Sequence, residues 1–217
     1  MRRTGWLLAT LLASAVVCGS PGRAEAVDDP WTVGVALGYV IPAIEDWEDN
    51  YEKRGDWVPD LSAAYAFSMQ WSVAAEMAYF RAKSQARGAI TGEPSIEEQQ
   101  LTLVPTTVSL EYRLRYDMTQ LIVPFLGAGY RHVTYRLKVG ENETITGGAN
   151  GWAGRAGFDV LLNGLDPSAA SAFSEEYGVA RSYFRLEAQW ATAEAPGTSG
   201  DIDLGGITYL AGVRFEF

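Results

Sequence analysis

Gly212-Val213-Arg214-Phe215-Glu216-Phe217 is the stretch whose reading decides the fold. Extended back to Thr208, it alternates strictly: Tyr209, Ala211, Val213, Phe215 and Phe217 fall on one face, and Thr208, Gly212, Arg214 and Glu216 on the other. Successive side chains of a strand point to opposite faces, so this segment has one aromatic, apolar side and one small, charged side. Leu210 is the single departure on the polar side. A strand of this kind suits the wall of a barrel with lipid outside and a polar interior.

At the other end, Arg2 and Arg3 precede an apolar core from Trp6 to Val17, and Ala24-Glu25-Ala26 is a small-x-small cleavage site. Residues 1–26 therefore read as a cleaved secretory signal, with the barrel expected over 27–217. The apolar core is too short to span a bilayer as a helix. The only cysteine, Cys18, lies in that leader. Val17 before it is bulkier than lipoprotein cleavage sites take, so Cys18 is expected to leave with the leader rather than carry lipid. No disulfide or thiolate site is then available to the fold.

The formal net charge is −10, and the leader removes three arginines against one glutamate, so the remainder is more acidic still. Nucleic-acid binding wants the opposite sign and is excluded as a class. Beyond the leader no run of eighteen apolar residues occurs, although 47% of the chain is hydrophobic. A helical membrane protein is thus excluded, whereas a barrel wall carries its hydrophobicity in alternate positions.

Seven further segments share the alternation. They are 31–41, 57–67, 71–81, about 101–114, 121 to about 135, 152–162 and 182–192. In the third, Trp71, Val73, Ala75, Met77 and Tyr79 oppose Ser72, Ala74 and Glu76. In the seventh, Phe184, Leu186, Ala188 and Trp190 oppose Arg185, Glu187 and Gln189. Strands of about ten residues are the length a tilted membrane strand needs. The expected fold is an eight-stranded antiparallel up-and-down transmembrane β-barrel. A soluble barrel alternates too, but the bulky set cannot line an eight-stranded interior on every strand, while the small-and-charged set can. Aromatics also gather in two belts, with Trp31, Trp71, Tyr112 and Phe217 at one rim and Tyr39, Trp57, Tyr79 and Trp152 at the other. Such belts mark membrane interfaces.

Short turns at 68–70 and 115–120 are expected on the periplasmic side, with outer loops at 42–56, 82–100, 136–151 and 193–203. The inner connection 163–181 is long. Asp166-Pro167 reads as an N-cap followed by proline at the first helical position, with Gly178 as the stop. A short helix is expected there, with Ala170, Phe173 and Tyr177 on one face. It is either an insertion on the barrel rim or a dock for a periplasmic partner.

With these segments in place the chain resembles the small eight-stranded outer-membrane barrels, the superfamily of the OmpA transmembrane domain and OmpW-like proteins. Val123-Pro124-Phe125-Leu126-Gly127-Ala128-Gly129-Tyr130 is similar to a strand common among them, and Gly212-x-x-Phe215-x-Phe217 resembles their terminal assembly signal. The resemblance implies location in the outer membrane of a Gram-negative bacterium. It also implies lipid and lipopolysaccharide as surroundings, recognition of the last strand by the barrel-assembly machinery, and a monomer. It is specific for architecture and weak for activity.

Ten charges are expected to point inward: Glu76, Glu111, Arg113, Arg131, Arg155, Asp159, Arg185, Glu187, Arg214 and Glu216. Five acids and five bases can pair, and an unpaired charge there costs several kcal/mol. They read as a salt-bridge plug or, in the other reading, as a polar conduit. An OmpW-like route for small apolar solutes would instead need an apolar interior in the outer half, against which Glu76, Arg131 and Arg155 speak. Some lipid A deacylases resemble this barrel and carry a lipid-facing His-x-Ser pair. Here the sole histidine, His132, is followed by Thr134, and no acid occupies an orienting position, so no enzyme is expected. Gly147–Gly151 precedes a strand and is no phosphate loop. The acidic loop 42–58 lacks calcium-loop spacing, and neither a metal nor a cofactor is expected.

Overall fold

The computed structural model describes residues 29–45, 47–51, 53–87, 94–140, 143–197 and 200–217. The leader reading for residues 1–26 lies outside the described residues. The elements are β1 (Trp31–Pro42), α1 (Trp47–Tyr51), β2 (Asp56–Ala66), β3 (Trp71–Ala78), β4 (Phe80–Arg87), β5 (Pro94–Arg113) and β6 (Ile122–Val139). They continue with β7 (Glu143–Leu161), α2 (Pro167–Tyr177), β8 (Arg181–Ala191), β9 (Glu194–Gly197), β10 (Gly200–Asp203) and β11 (Gly206–Glu216).

All pairings are antiparallel, and the ring β1-β2-β3-β5-β6-β7-β8-β11 closes where β11 pairs with β1. β4 continues the β3 stave past Tyr79, and β9 and β10 continue β8 and β11 as a short hairpin. The fold is thus an eight-stave antiparallel barrel with one eleven-residue helix between staves. The closing seam is zipped at its end, where Phe217 N donates to Trp31 O at 2.8 Å.

Within the lipid band the barrel is inside out. In β3, Trp71, Val73 and Met77 are exposed, while Ser72 and Glu76 are buried. The belts lie where sequence placed them: Trp31 opposite Tyr65 and Trp71 opposite Tyr112 at one rim, Tyr39 opposite Trp57 and Tyr130 opposite Trp152 at the other. Eight residues separate Trp31 from Tyr39, roughly 26 Å along a strand and close to the expected apolar band once tilted.

Three of the expected outer loops are corrected: 193–203 holds the β9–β10 hairpin, and the other two are strand extensions. The described residues of 82–100 and 136–151 are almost all strand, because β4, β5, β6 and β7 run on beyond the outer belt. There the polarity inverts. Ala82, Leu101, Leu103, Val133 and Ala149 are buried inside, while Arg81, Arg136 and Lys138 are exposed outside. A strand wet on its outer face has the composition of a loop, which hid the extension. The expected loop 42–56 holds α1, whose Trp47 is turned into this inner apolar cluster.

The connection to β8 forms the expected helix. Asp166 caps it by accepting from Ala169 N at 3.0 Å, and Gly178 ends it at φ 71°, a left-handed conformation that favours glycine. Phe173 stacks on Phe215 with ring centroids 6.4 Å apart, so α2 lies against the outside of the wall at the rim where the chain ends. No helix of the described residues is long and apolar enough to cross a membrane.

Candidate functional site

All ten charges picked out by alternation have buried side chains, because each sits on the inward register of its strand. Nine of them are joined in ion pairs. Near the end that carries Trp31 and Phe217, Glu216 accepts from Arg113 at 2.5 Å, and Asp159 accepts from Arg113 at 3.0 Å and from Arg185 at 2.7 Å. Higher up, Glu111 pairs with Arg155, accepts from both terminal nitrogens of Arg185 at 3.1 Å, and takes Arg214 at 3.2 Å. Glu76 pairs with Arg155 and accepts from Gln189 at 2.7 Å. Glu187 accepts from Arg185 at 3.3 Å and from Gln189 at 3.1 Å. The acceptors converge on arginines because a guanidinium offers five donors in a planar fork, so one side chain can link several carboxylates.

Arg131 is the exception. It has no described carboxylate within ion-pair distance, and its Nε is buried without a partner among the described residues. It lines the same cavity as the half-buried Asp60.

Several members were missed by the sequence reading. Arg115, expected in the turn 115–120, is buried; it donates to Glu216 at 2.6 Å and to the Tyr183 hydroxyl at 2.7 Å. Arg181 donates to Glu216 at 2.7 Å and to Asp29 at 3.0 Å. Arg115 continues the 111–113–115 alternation past the point where β5 ends, and that was the available signal. The interior is also not purely small and charged. Phe125 is buried under the Arg185 guanidinium, 3.7 Å from the ring centroid, and Val123, Leu161 and Tyr183 form a small apolar cluster. An aromatic face receives a guanidinium that is already paired on its edges.

Above Arg131 the interior changes character. Val58, Phe80, Leu103, Val133 and Leu210 surround a cavity of about 40 Å³, room for a few waters. Trp47 of α1 roofs the cluster, 5.7 Å from Phe80 and stacked on Tyr51 at 4.0 Å. Burial pushes the Tyr51 hydroxyl pKa up. The wall is incomplete beside this cluster. β2 pairs with β3 only from Asp60 to Ala66, Tyr79 N donates to Pro59 O, and β4 pairs with β5 alone.

The remaining candidates make none of these ion pairs. Gly212 stands between Ala36 across the seam and Arg185 on β8, and an added Cβ would press to 2.2 Å from Val35 O. Phe215 carries the α2 contact, and Phe217 is exposed at the rim. His132 points out of the barrel, its Nδ1 2.7 Å from Asn150 Oδ1, which also accepts from the Tyr130 hydroxyl at 2.7 Å. The side chain beside the imidazole is therefore an amide. In the acidic loop Lys53 pairs with Asp56, whereas Asp46 and Glu52 lie outside the described residues. Among the described residues no three His, Cys, Asp or Glu side chains are grouped to hold a metal ion.

A family model described as an outer membrane protein beta-barrel domain matches residues 9–166. No curated protein sequence matches the chain. Among solved structures the chain is similar to the outer membrane protein OprG from Pseudomonas aeruginosa. That match has 16% identity, a TM-score of 0.61 and coverage of 88% of this chain and 97% of OprG. It is also similar to Neisserial surface protein A, at 14% identity and a TM-score of 0.53, covering 86% of this chain and 97% of that one. At these identities the likeness is one of fold.

Proposed function

The chain belongs to the outer membrane protein β-barrel domain family, and from that premise we propose that it is a non-enzymatic barrel of the Gram-negative outer membrane, closed to axial passage. On this reading it serves envelope integrity or surface interaction. The observation that carries it is the interlinked set Glu76, Glu111, Asp159, Glu187 and Glu216 with Arg113, Arg155, Arg185 and Arg214, packed across a narrow eight-stave interior. Refolded protein in planar bilayers should give no reproducible single-channel steps; steps of constant size would overturn the closure. The last strand is the segment the assembly machinery reads, with lipid and lipopolysaccharide as the monomer's surroundings. Removal of Phe217 should lead to periplasmic degradation, and normal insertion of the truncated chain would contradict this.

A second reading is favoured by a specific observation. The outer half of the interior is apolar, and the wall beside it lacks pairing between β2 and β4. Both features support a lateral route for small apolar solutes, from the outer opening through the wall at the level of the outer belt. Cells carrying the protein should then take up a small apolar solute faster than cells lacking it, and Phe80→Asp should remove the gain. Equal uptake in all three strains disposes of the route. The lipid-modifying reading has less support, since His132 is held by Asn150 and Thr134 replaces the nucleophilic serine; His132→Ala should leave the lipid A profile unchanged.

A further inference from the structure

Beyond the outer belt, two consecutive register rows cross β4, β5, β6 and β7. One runs Arg81, Thr102, Arg136, Thr146, and the next Lys83, Gln100, Lys138, Thr144. The four cations are exposed on the outward face, with Thr102 and Gln100 between them and half-exposed. Arg81 donates to Gln100 Oε1 at 2.6 Å. No described carboxylate lies within 4 Å of any of the four. Two residues along a strand and two strands across give them a footprint of roughly 7 by 10 Å.

This is the opposite sign from the molecule as a whole, whose formal charge is −10. A compact basic patch on an acidic protein attracts anions locally while the rest of the surface repels them. Hydroxyl and amide groups interleaved with the cations suit a sugar that bears phosphates, since they can bond its hydroxyls while the arginines take phosphate oxygens bidentately. Its level fits as well. Arg136 lies six residues beyond Tyr130 of the belt on β6, roughly 15 Å further out for a strand tilted about 40°. That is past the hydrocarbon, where the saccharide of an outer-leaflet glycolipid extends.

We propose that Arg81, Lys83, Arg136 and Lys138 form a binding site on the outer wall for a phosphorylated saccharide anchored in the outer leaflet. The proposal rests on the outer-membrane reading and deepens it by naming the site.

The test uses the full mature barrel in zwitterionic-lipid nanodiscs. Its probes are lipopolysaccharide, the same material dephosphorylated, and the delipidated phosphorylated core oligosaccharide. Wild type should bind the phosphorylated form about tenfold or more tightly than the dephosphorylated one, with an affinity that falls as salt rises. Arg81→Gln/Lys83→Gln/Arg136→Gln/Lys138→Gln should lose that preference. Lys53→Gln/Arg54→Gln, which removes positive charge from the first loop, should keep it. Preferred binding of the lipid-anchored form supports the outer leaflet as the source; equal binding of the oligosaccharide keeps the ligand chemistry and makes the source a soluble saccharide. Equal binding of dephosphorylated material, unchanged binding by the quadruple variant, or an equal loss in the loop variant would each overturn the site. Heat-modifiable gel mobility checks that every variant is folded. Failure of wild type to insert into bilayers counts against the membrane reading instead, so the two failures are distinguishable.

Discussion

Below Arg131 the barrel is charged inside and apolar outside; above it the same strands are apolar inside and charged outside. β6 shows both in one element. Arg131 faces inward and Tyr130 outward within the lipid band, whereas further along Val133 is buried inside and Arg136 and Lys138 are exposed outside. The solvent touching the outer face decides which set is tolerated there. Lipid demands apolar groups outside, and the lower interior is filled mainly by polar groups that satisfy one another, packed around Phe125 and the small cluster of Val123, Leu161 and Tyr183. Water outside returns the upper part to the ordinary logic of a soluble sheet, with a hydrophobic core and a polar surface.

The two parts should respond differently to removal of a single side chain. Arg155→Ala strikes the lower half, leaving Glu76 and Glu111 without their shared cation. Truncating one partner of a buried pair costs about 3–5 kcal/mol. The cost should appear as a lower urea midpoint for the whole barrel, since these carboxylates link strands around the ring. A midpoint within error of wild type would show that the lower half does not depend on ion pairing.

Leu103→Ala is the matching change above. Leu103 is buried in the apolar cluster and stands opposite Phe80 and Tyr135. Leucine-to-alanine in a core costs about 2–5 kcal/mol, and the lower end is expected here because the cavity beside it already leaves room to relax. Hydrogen exchange should rise in β4 and the outer parts of β5 and β6 while the lower staves stay protected. Uniform deprotection would mean that the halves unfold as one unit and that the division is chemical only.

That division also explains what could be read from sequence. The alternation of Trp71 to Glu76 and of Tyr209 to Phe217 is legible because lipid forces one face to be uniformly apolar. The ten inward charges follow from the same parity. Arg115 keeps the parity of Glu111 and Arg113, but β5 ends at Arg113 and parity alone does not say that a turn residue still faces inward. Phe125 and Tyr183 escaped because an aromatic inside the barrel breaks parity unless its guanidinium neighbours are known. The outer strand extensions read as loops because their polar face is wet. The gap between β2 and β4 has no sequence signal; it follows from which strands pair.

A smaller effect is expected for Trp47→Ala. Truncating a core tryptophan costs about 3–5 kcal/mol, but Trp47 Nε1 is buried without an acceptor among the described residues. Losing that unmade hydrogen bond returns about 1–3 kcal/mol, leaving roughly 2 kcal/mol confined to α1 and the roof. Proteolysis within residues 43–56 should accelerate with the urea midpoint unchanged. A fall in the midpoint as large as that of Arg155→Ala would make the roof part of the global fold rather than a cover on the upper half.

The smallest effect lies outside both halves, in α2. Asp166 has its carboxyl held below the usual carboxylate range, mainly by the Ala169 backbone N–H and then by the Ser168 hydroxyl. A pKa lower in the folded state than in the unfolded one stabilises α2 above about pH 4. The contribution disappears as pH falls through the lower folded-state value. Amide exchange over 167–177, corrected for intrinsic rates, should therefore accelerate on acidification. Asp166→Asn should keep the cap and lose this component of the pH dependence. An identical pH profile in Asp166→Asn would assign the effect to another group. Because Phe173 stacks on Phe215, the same measurement asks whether the helix supports the wall. If β11 holds its protection while α2 frays, the lower half is sustained by its internal charges alone; if both loosen together, the helix is a clasp on the closing seam.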